Sequence, residues 1–589
     1  MLRETVSCLG VCATLAVGAA RPDLVAQVAA GTCREARVSW WGFDAEDATR
    51  FLQAAIDSGV PRLIVDKMPT PWFTLPLQGA GNQTLVFEDG AEVCAKRHAF
   101  ASKGACLLTY AGKSNVVLEG AGTLRMWHQD YMAAPYEKSE WRHALSLLSC
   151  SNVVVKGMSF VDSGGDGIYL GVRGPVRKNV DVVIRDVVCK DNHRQGISVI
   201  SAENLLIENT QLLTTHGTAP QAGIDFEPNH PQEVLKNCVM RNCRAEGNAG
   251  AGFTTWAGQL NTTSEPVDLR FENCTSTGDA LSFGYAGRFG AEVPARVTLV
   301  GCRFAHPTKG MPVRIRENHT SPLVVSVTDS TIVTNGANGP VTVAMDAAWL
   351  QENLPLASDP TGFLPHVAPD FAQARPQDAH PGELRPLAPL RLRGRSAYLV
   401  SAETARTLHF RGRQIRVGRY DLAQHPLRVL DAAGRLVATV PMLDVKSQAF
   451  TCTVPAKGFY RLEVNAGHGA FLLEQADAIV AVDGTADAVN LIGSVGSLWF
   501  RVADRVDRFH LLAAGEGVER VTVSLFNPAG TRVWHRADLG NSARTKQVDP
   551  APGLWRLDVA RPSSGPFEDS LYSLAGIPAV FFLDPDRIW

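Results

Sequence analysis

The chain has 589 residues, its 59 acids and 57 bases almost cancel, and charged residues make up only 20% of it. That length exceeds a single ordinary core and implies several domains. The near-neutral balance argues against nucleic acid or an anionic membrane as the bulk partner, leaving room only for a local basic cleft.

At the N-terminus, Arg3 precedes an apolar stretch from Val6 to Val17 that ends in Gly18-Ala19-Ala20. Residues 1–20 therefore read as a secretory signal peptide, which implies a bacterial protein that is secreted, periplasmic or held at the cell surface. Glu4 and two cysteines within the stretch depart from that pattern. No other apolar run is long enough to span a bilayer. Residues 44–57 predict a short amphipathic helix, with Asp44 as N-cap, Phe51, Leu52, Ala55 and Ile56 on one face, and Gly59 as the stop. Short strands follow at Arg62 to Asp66, Gln83 to Asp89 and Asn115 to Gly120. An insertion from Arg125 to His143 then gathers Trp127, His128, Tyr131, Tyr136, Trp141, Arg142 and His143 with Asp130, Glu137 and Glu140. Aromatic and charged groups together suit sugar rings; packing of the loop onto its own coil is the alternative.

The strongest signal comes next. A Gly-Ile-x-apolar segment recurs as Gly167-Ile168-Tyr169-Leu170, Gly196-Ile197-Ser198-Val199, Gly223-Ile224-Asp225-Phe226 and Gly252-Phe253-Thr254-Thr255, the glycines standing 29, 27 and 29 positions apart by residue number. A period of that size marks a solenoid, in which each repeat buries its apolar face against its neighbours. A second β-branched run ending in Asn, Asp or Gly keeps phase with it, as in Asn152 to Gly157, Asn204 to Asn209 and Leu269 to Asn273. Short strands without intervening helices predict an all-β chain, with a right-handed parallel β-helix over 21–347 and the helix of 44–57 as its N-terminal cap. Asn209, Asn242 and Asn273 are expected to stack as a buried amide ladder. Cys243, Cys274 and Cys302 are expected to form a column of buried thiols, since no His/Cys spacing suits structural zinc. The acidic-start, Ala-Ala-rich helix followed by Arg62-Leu63-Ile64-Val65 resembles the opening of the pectate lyase and polygalacturonase superfamily of β-helix proteins. That resemblance implies action on a polysaccharide.

Pro355, Pro360, Pro365, Pro369, Pro376, Pro381, Pro386 and Pro389 mark 348–390 as a linker or strap. Beyond it, Leu427 to Gly434 matches Val523 to Gly530, and Gly458 to Val464 matches Gly553 to Val559. This duplication predicts two small β-sandwiches, 391–480 and 481–589. They resemble the sandwich domains appended to secreted bacterial hydrolases, where they serve as props or accessory binders.

Strand alternation picks out the candidate site. With Ile168, Leu170, Ile197, Val199, Ile224 and Phe226 facing the core, Tyr169, Ser198, Asp225 with Glu227, and Thr254 with Trp256 face outward, stacked about 4.8 Å apart on successive coils. Ser282, Arg314 and Arg316 continue the strip on the same reading. Asp166, His193, Arg194 and His216 flank it from the turns. Asp225 and Glu227 should lie roughly 6–8 Å apart, within the separation of about 6.5–9.5 Å that suits inverting glycoside hydrolysis. Asp166 would be a second carboxylate or would hold the pair's pKa values apart, and His193 or His216 would orient substrate or carry a proton. Arg194, Tyr169, Trp256, Trp127, Trp141, Arg142 and His143 are the substrate-binding candidates. The same parts admit a uronate lyase or epimerase, with Arg194, or calcium held by Asp225 and Glu227, neutralising a carboxylate and His193, His216 or Tyr169 as base. The strand is similar to that of alginate epimerases, but Phe226-Glu227-Pro228 stands where they carry Pro-His-acid. The paired-aspartate and Arg-x-Lys patterns of polygalacturonases are not visible in matching places. A non-catalytic glycan-binding or adhesin-like β-helix is the remaining alternative. The partner in each case is a polysaccharide or oligosaccharide, and no cofactor beyond calcium is indicated.

Overall fold

The computed structural model describes residues 20–589 except 288–292, 310–311, 316–322, 337–338, 354–366, 372–373, 375, 377–381, 486–487, 516–518, 541–543 and 549. The signal-peptide residues before 20, Arg316, and Pro355, Pro360, Pro365 and Pro381 of the strap lie outside the described residues.

From Glu35 to Met345 the chain winds as a parallel β-helix whose coils feed three sheets of 11, 9 and 11 strands. One coil shows the plan: Ser151–Lys156, Ser159–Val161 and Asp166–Gly171 each enter a different sheet, and each pairs in parallel with its counterpart one coil on. In the nine-stranded sheet, Leu145, Ile168, Ile197, Ile224, Phe253 and Phe283 share one register and are all fully buried. These side chains stack along the coil axis, so a repeat with a side-chain period of two produces a continuous apolar column.

The repeat's glycine has a steric cause. A Cβ on Gly167, Gly196 or Gly223 would fall 2.7, 2.5 or 2.6 Å from the carbonyl oxygen of the next coil's glycine. Successive backbones touch at this bend, and only glycine fits.

Corners are set by residues in the left-handed region. Asn209, Asn242 and Asn273 have φ of 49°, 52° and 51°. Their amides do form a ladder: Asn242 donates to Asn209 at 3.1 Å and Asn273 to Asn242 at 3.2 Å. The ladder is solvent-exposed, not buried as expected. Each asparagine follows a strand residue that already faces outward, Glu208, Arg241 and Glu272, and the chain turns inward only at the next residue, Thr210, Cys243 and Cys274. Cys243, Cys274 and Cys302 are buried free thiols, as their spacing predicted.

The cap helix spans Thr49–Asp57, five residues later than expected. Asp44 does not cap it; its carboxylate accepts from the N–H groups of Glu46 and Asp47 in a preceding turn. Leu52, Ala55 and Ile56 are buried over the first coils as predicted. An additional helix, Pro22–Ala29, precedes it. At the far end, Ser330–Gly336 and Gly339–Met345 form an antiparallel pair, followed by the helix Ala347–Asn353.

Beyond residue 384 the fold is antiparallel. The matched segments occupy equivalent places: Leu427–Asp431 pairs with Gly458–Ala476, and Val521–Phe526 pairs with Gly553–Ala560. Both halves belong to one hydrogen-bonded network of 17 strands and share one apolar cluster. The boundary expected at 480/481 falls inside Val480–Asp483, a strand that pairs with Arg391–Ala402 on one side and Val580–Phe582 on the other.

Candidate active site

Asp166, Arg194, Asp225 and Glu227 converge on the outer side of the nine-stranded sheet. Register places Ser146, Tyr169, Ser198, Asp225, Thr254, Gly284 and Arg314 in one column, as alternation required. Ser282 does not continue that column. It stands where the earlier coils carry the repeat glycine, and it is buried.

Arg194 organises the acids. Its Nη2 donates to Glu227 at 2.7 Å, its Nη1 lies 3.9 Å from Asp166, and its Nε lies 3.8 Å from Glu140. Although burial works against the charge, Asp166 and Glu227 hold the guanidinium above its ordinary value. Asp166 is fully buried, and neither of its carboxyl oxygens receives a hydrogen bond from the protein. Its own N–H donates to His143 Nδ1 at 3.0 Å. Nδ1 also lies 3.2 Å from Asp166 Oδ2, but a nitrogen already accepting that N–H carries no proton to share with the carboxylate.

Asp225 is only 2% exposed, which strand alternation alone did not indicate. Burial above all, and then the neighbouring Glu227, push its carboxyl up to about 8. The adjacent amide agrees with a neutral acid. Gln195 fits best with its nitrogen donating to Ile197 O at 3.2 Å and its oxygen accepting from Arg194 Nη1 at 3.1 Å. That orientation sets the amide oxygen 3.3 Å from Asp225 Oδ2. At this distance a protonated Asp225 sits more comfortably beside the amide oxygen than a carboxylate would. Gln195 and Glu140 are the site residues that sequence reasoning missed. Gln195 was in view, because it precedes its repeat glycine as Asp166 precedes Gly167, and the two share register.

His193 and His216 belong to a second cluster, with His128 of the insertion. His128 Nδ1 lies 3.0 Å from Asp191 O, which can only accept, so Nδ1 carries the proton. His128 Nε2 must then accept from His193 Nδ1 at 2.9 Å, and His193 Nε2 accepts from Thr218 Oγ1 at 2.8 Å. His216 packs on His128 at 4.7 Å and donates from Nδ1 to Thr214 O at 2.8 Å. With both rings neutral, one hydrogen-bond chain fixes the tautomers of His128 and His193. Burial, then His128 and His216, push His193 down to about 4. Burial likewise lowers His128.

The expected sugar-binding residues divide. Trp141 is 52% and Trp256 40% exposed, so both indoles are free to meet a ligand. Tyr169 stacks face to face on His143 at 4.4 Å, and burial pushes its hydroxyl up to about 12. Arg142 is not available to substrate. It is fully buried and forks onto the carbonyls of Phe100, Ala101 and Glu137, beneath Tyr131 and Tyr136. Trp127 donates to Ala95 O and carries Arg97 over its ring at 3.8 Å, so it packs the insertion instead of presenting a platform. His143 is buried behind Tyr169. Packing therefore claims most of the insertion.

Calcium does not fit the proposed pair. Glu227 is engaged by Arg194, burial pushes the Asp225 carboxyl toward its neutral form, and among the described residues no three His, Cys, Asp or Glu side chains converge to hold a metal ion. Away from this site, a cavity of about 490 Å³ opens in the antiparallel unit beside Arg395, Arg428, Arg461 and Asp483. Its charges are largely spent on one another, Arg461 pairing with Asp483 at 2.9 Å and Arg428 with Glu463 at 3.3 Å.

Residues 137–287, which carry the acid cluster and most of the histidine cluster, match the family described as "Right handed beta helix region". The chain is 30% identical over 166 residues to the uncharacterized protein YclG of Bacillus subtilis (strain 168), a match covering 25% of this chain and 28% of that protein. Among solved structures, an iota-carrageenase complexed to iota-carrageenan fragments is similar at 12% identity and TM-score 0.35, over 43% of this chain and 57% of its own. The polygalacturonase from Erwinia carotovora ssp. carotovora gives 12% and 0.32, over 49% of this chain and 91% of its own. An N-terminal fragment of bacteriophage Phi29 gene product 12 gives 15% and 0.39, over 54% and 56%. At such identities and scores the likeness is one of coil architecture and bears on no activity. No helix among the described residues is long and apolar enough to cross a membrane.

Proposed function

We propose that this protein is a carbohydrate-active enzyme that hydrolyses glycosidic bonds of a polysaccharide outside the cytoplasm. The observation that carries the reading is the division of labour between adjacent carboxyls. Asp225 is held neutral, pushed up to about 8, while Glu227 is ion-paired with Arg194 at 2.7 Å. Pairs of carboxyls whose environments drive their pKa values apart supply the acid and the base of glycoside hydrolysis. Asp225 is assigned as the acid that protonates the leaving oxygen. Glu227, with 21% of its side chain exposed, is the carboxylate that activates water. Asp166 and Gln195 are positioning residues, the first holding Arg194 and the second receiving the Asp225 proton at rest. Substrate hydroxyls replace the Arg194 Nη2 hydrogen bond on Glu227 and uncover Asp225, while Trp141 and Trp256 offer faces for neighbouring sugars.

Two of the three bases that the elimination chemistry of a uronate lyase would use are poorly placed here, and His216 packs with the histidine cluster beside His128. His193 has both ring nitrogens engaged, and Tyr169 is pushed up to about 12. Digestion of a polysaccharide panel tests the reading. New reducing ends without the ultraviolet absorbance of an unsaturated uronide are expected. That absorbance, or no cleavage of any polymer, would overturn it.

A further inference from the structure

The acid cluster also carries information about what it can hold. We infer that the sugar unit bound over Asp225 is uncharged, a neutral hexose or deoxyhexose and not a uronate or a sulfated sugar. This rests on the reading of Asp225 and Glu227 as a sugar site.

Glu140, Asp166, Asp225 and Glu227 surround one guanidinium, that of Arg194. With Asp225 protonated the site still holds an excess of carboxylates, and Arg194 already serves three of them. Arg142, the other cation nearby, is buried with its fork on three backbone carbonyls. Arg314 shares the Asp225 column but lies three coils away, about 14 Å at the spacing of parallel strands. His193 and His128 add little charge, since burial pushes both down and their ring nitrogens are engaged with each other, Thr218 and the Asp191 carbonyl; His216 packs on His128 in that separate cluster. No carboxylate trio is arranged to hold a bridging cation among the described residues.

An anionic sugar placed here would meet like charge at contact distance, with no cation among the described residues free at contact distance to neutralise it, in surroundings that screen poorly. Hydroxyl groups, in contrast, are what unsatisfied carboxyl oxygens require. Asp166 and Asp225 Oδ1 are buried without a donor, and each sugar hydroxyl offers one.

Matched oligosaccharide pairs test this on the full chain: oligogalacturonate and its carboxyl-reduced form, oligomannuronate and its carboxyl-reduced form, and sulfated galactan fragments and their desulfated form. Binding is measured by calorimetry at about 0.15 M salt, with chelator and again with calcium. The neutral member of at least one pair is expected to bind about tenfold or more tighter than its charged partner, with calcium changing nothing. Tighter or equal binding of the charged member, calcium-dependent binding of it, or binding of no neutral member overturns the inference. Reducing-end release is followed in the same samples. A neutral member that binds without being cut removes the hydrolase reading and leaves the substrate class standing.

Discussion

Two polar clusters sit on neighbouring turns of the same coils, and they solve burial in opposite ways. Around His128 and His193, every ring nitrogen has a partner, and a single direction of donation runs from Thr218 to the carbonyl of Asp191. Around Asp225, the carboxyl oxygens of Asp166 and one of Asp225 have no donor at all. Buried polar groups in folded proteins are nearly always satisfied, and a set left unsatisfied is held against the preference of the fold. The histidines, which residue type alone marked as catalytic, are built as structure. The acids beside them keep unsatisfied oxygens, which is what the proposed sugar site requires.

That contrast can be broken most decisively at Asp225. Asp225→Asn should lower turnover about 10²–10⁴-fold while leaving the melting temperature unchanged or raised, since it removes a carboxyl from a buried site. Paired rate and melting measurements check it, and a large loss of stability with activity retained would reverse the assignment. Next in size is Gly217, whose φ is +142° and whose added Cβ would fall 2.1 Å from His193 Nδ1. Gly217→Ala should cost about 2–4 kcal/mol in chemical denaturation, because overpacking adds to a backbone conformation that alanine resists.

Per unit of pH the effects are smaller, and the two clusters have opposite signs. Asp225 titrates near 8 in the folded chain against an ordinary 3.8. Its contribution is complete below the ordinary value and is lost as pH rises toward 8, at up to about 1.4 kcal/mol per unit. His193 titrates near 4 against 6.5, so its contribution is complete above 6.5 and is lost as pH falls toward 4. Unfolding curves across pH should show Asp225→Asn flattening the alkaline limb and His193→Gln flattening the acid limb. The smallest effect is expected from Thr218→Val, which removes the donor to His193 Nε2 and should cost about 1 kcal/mol. A neutral result there would mean that the chain of tautomers does not need its first hydroxyl.

Much of this architecture was legible because a solenoid turns local alternation into global placement. The buried positions of Ile168, Ile197 and Ile224, and the column holding Tyr169, Ser198, Asp225 and Thr254, need only a period of two and a constant coil spacing. The reading failed where a side chain's surroundings come from elsewhere in the chain. Arg142 looks like a ligand for sugars until the loop carbonyls that claim it are seen, and Asp225 looks exposed until Arg194 and Gln195 close over it. The asparagine ladder was legible as a ladder but not as an exposed one, since repeat spacing does not say which side of a corner an amide takes. Ser282 misled for a simpler reason, occupying the glycine position in a coil that has lost its glycine.

The glycine column also bears on how such a chain can change over generations. Because Gly167, Gly196 and Gly223 each abut the carbonyl of the next glycine, these coils present the same seat above and below. Whole coils are therefore interchangeable modules at that edge, and a coil copied or deleted in frame would reseat without repacking the bend. Its cost would fall on chemistry instead. One extra coil between Gly196 and Gly223 would lift Asp225 and Glu227 a full rung away from Arg194 and Asp166, leaving the stack intact and the charge cluster dismantled.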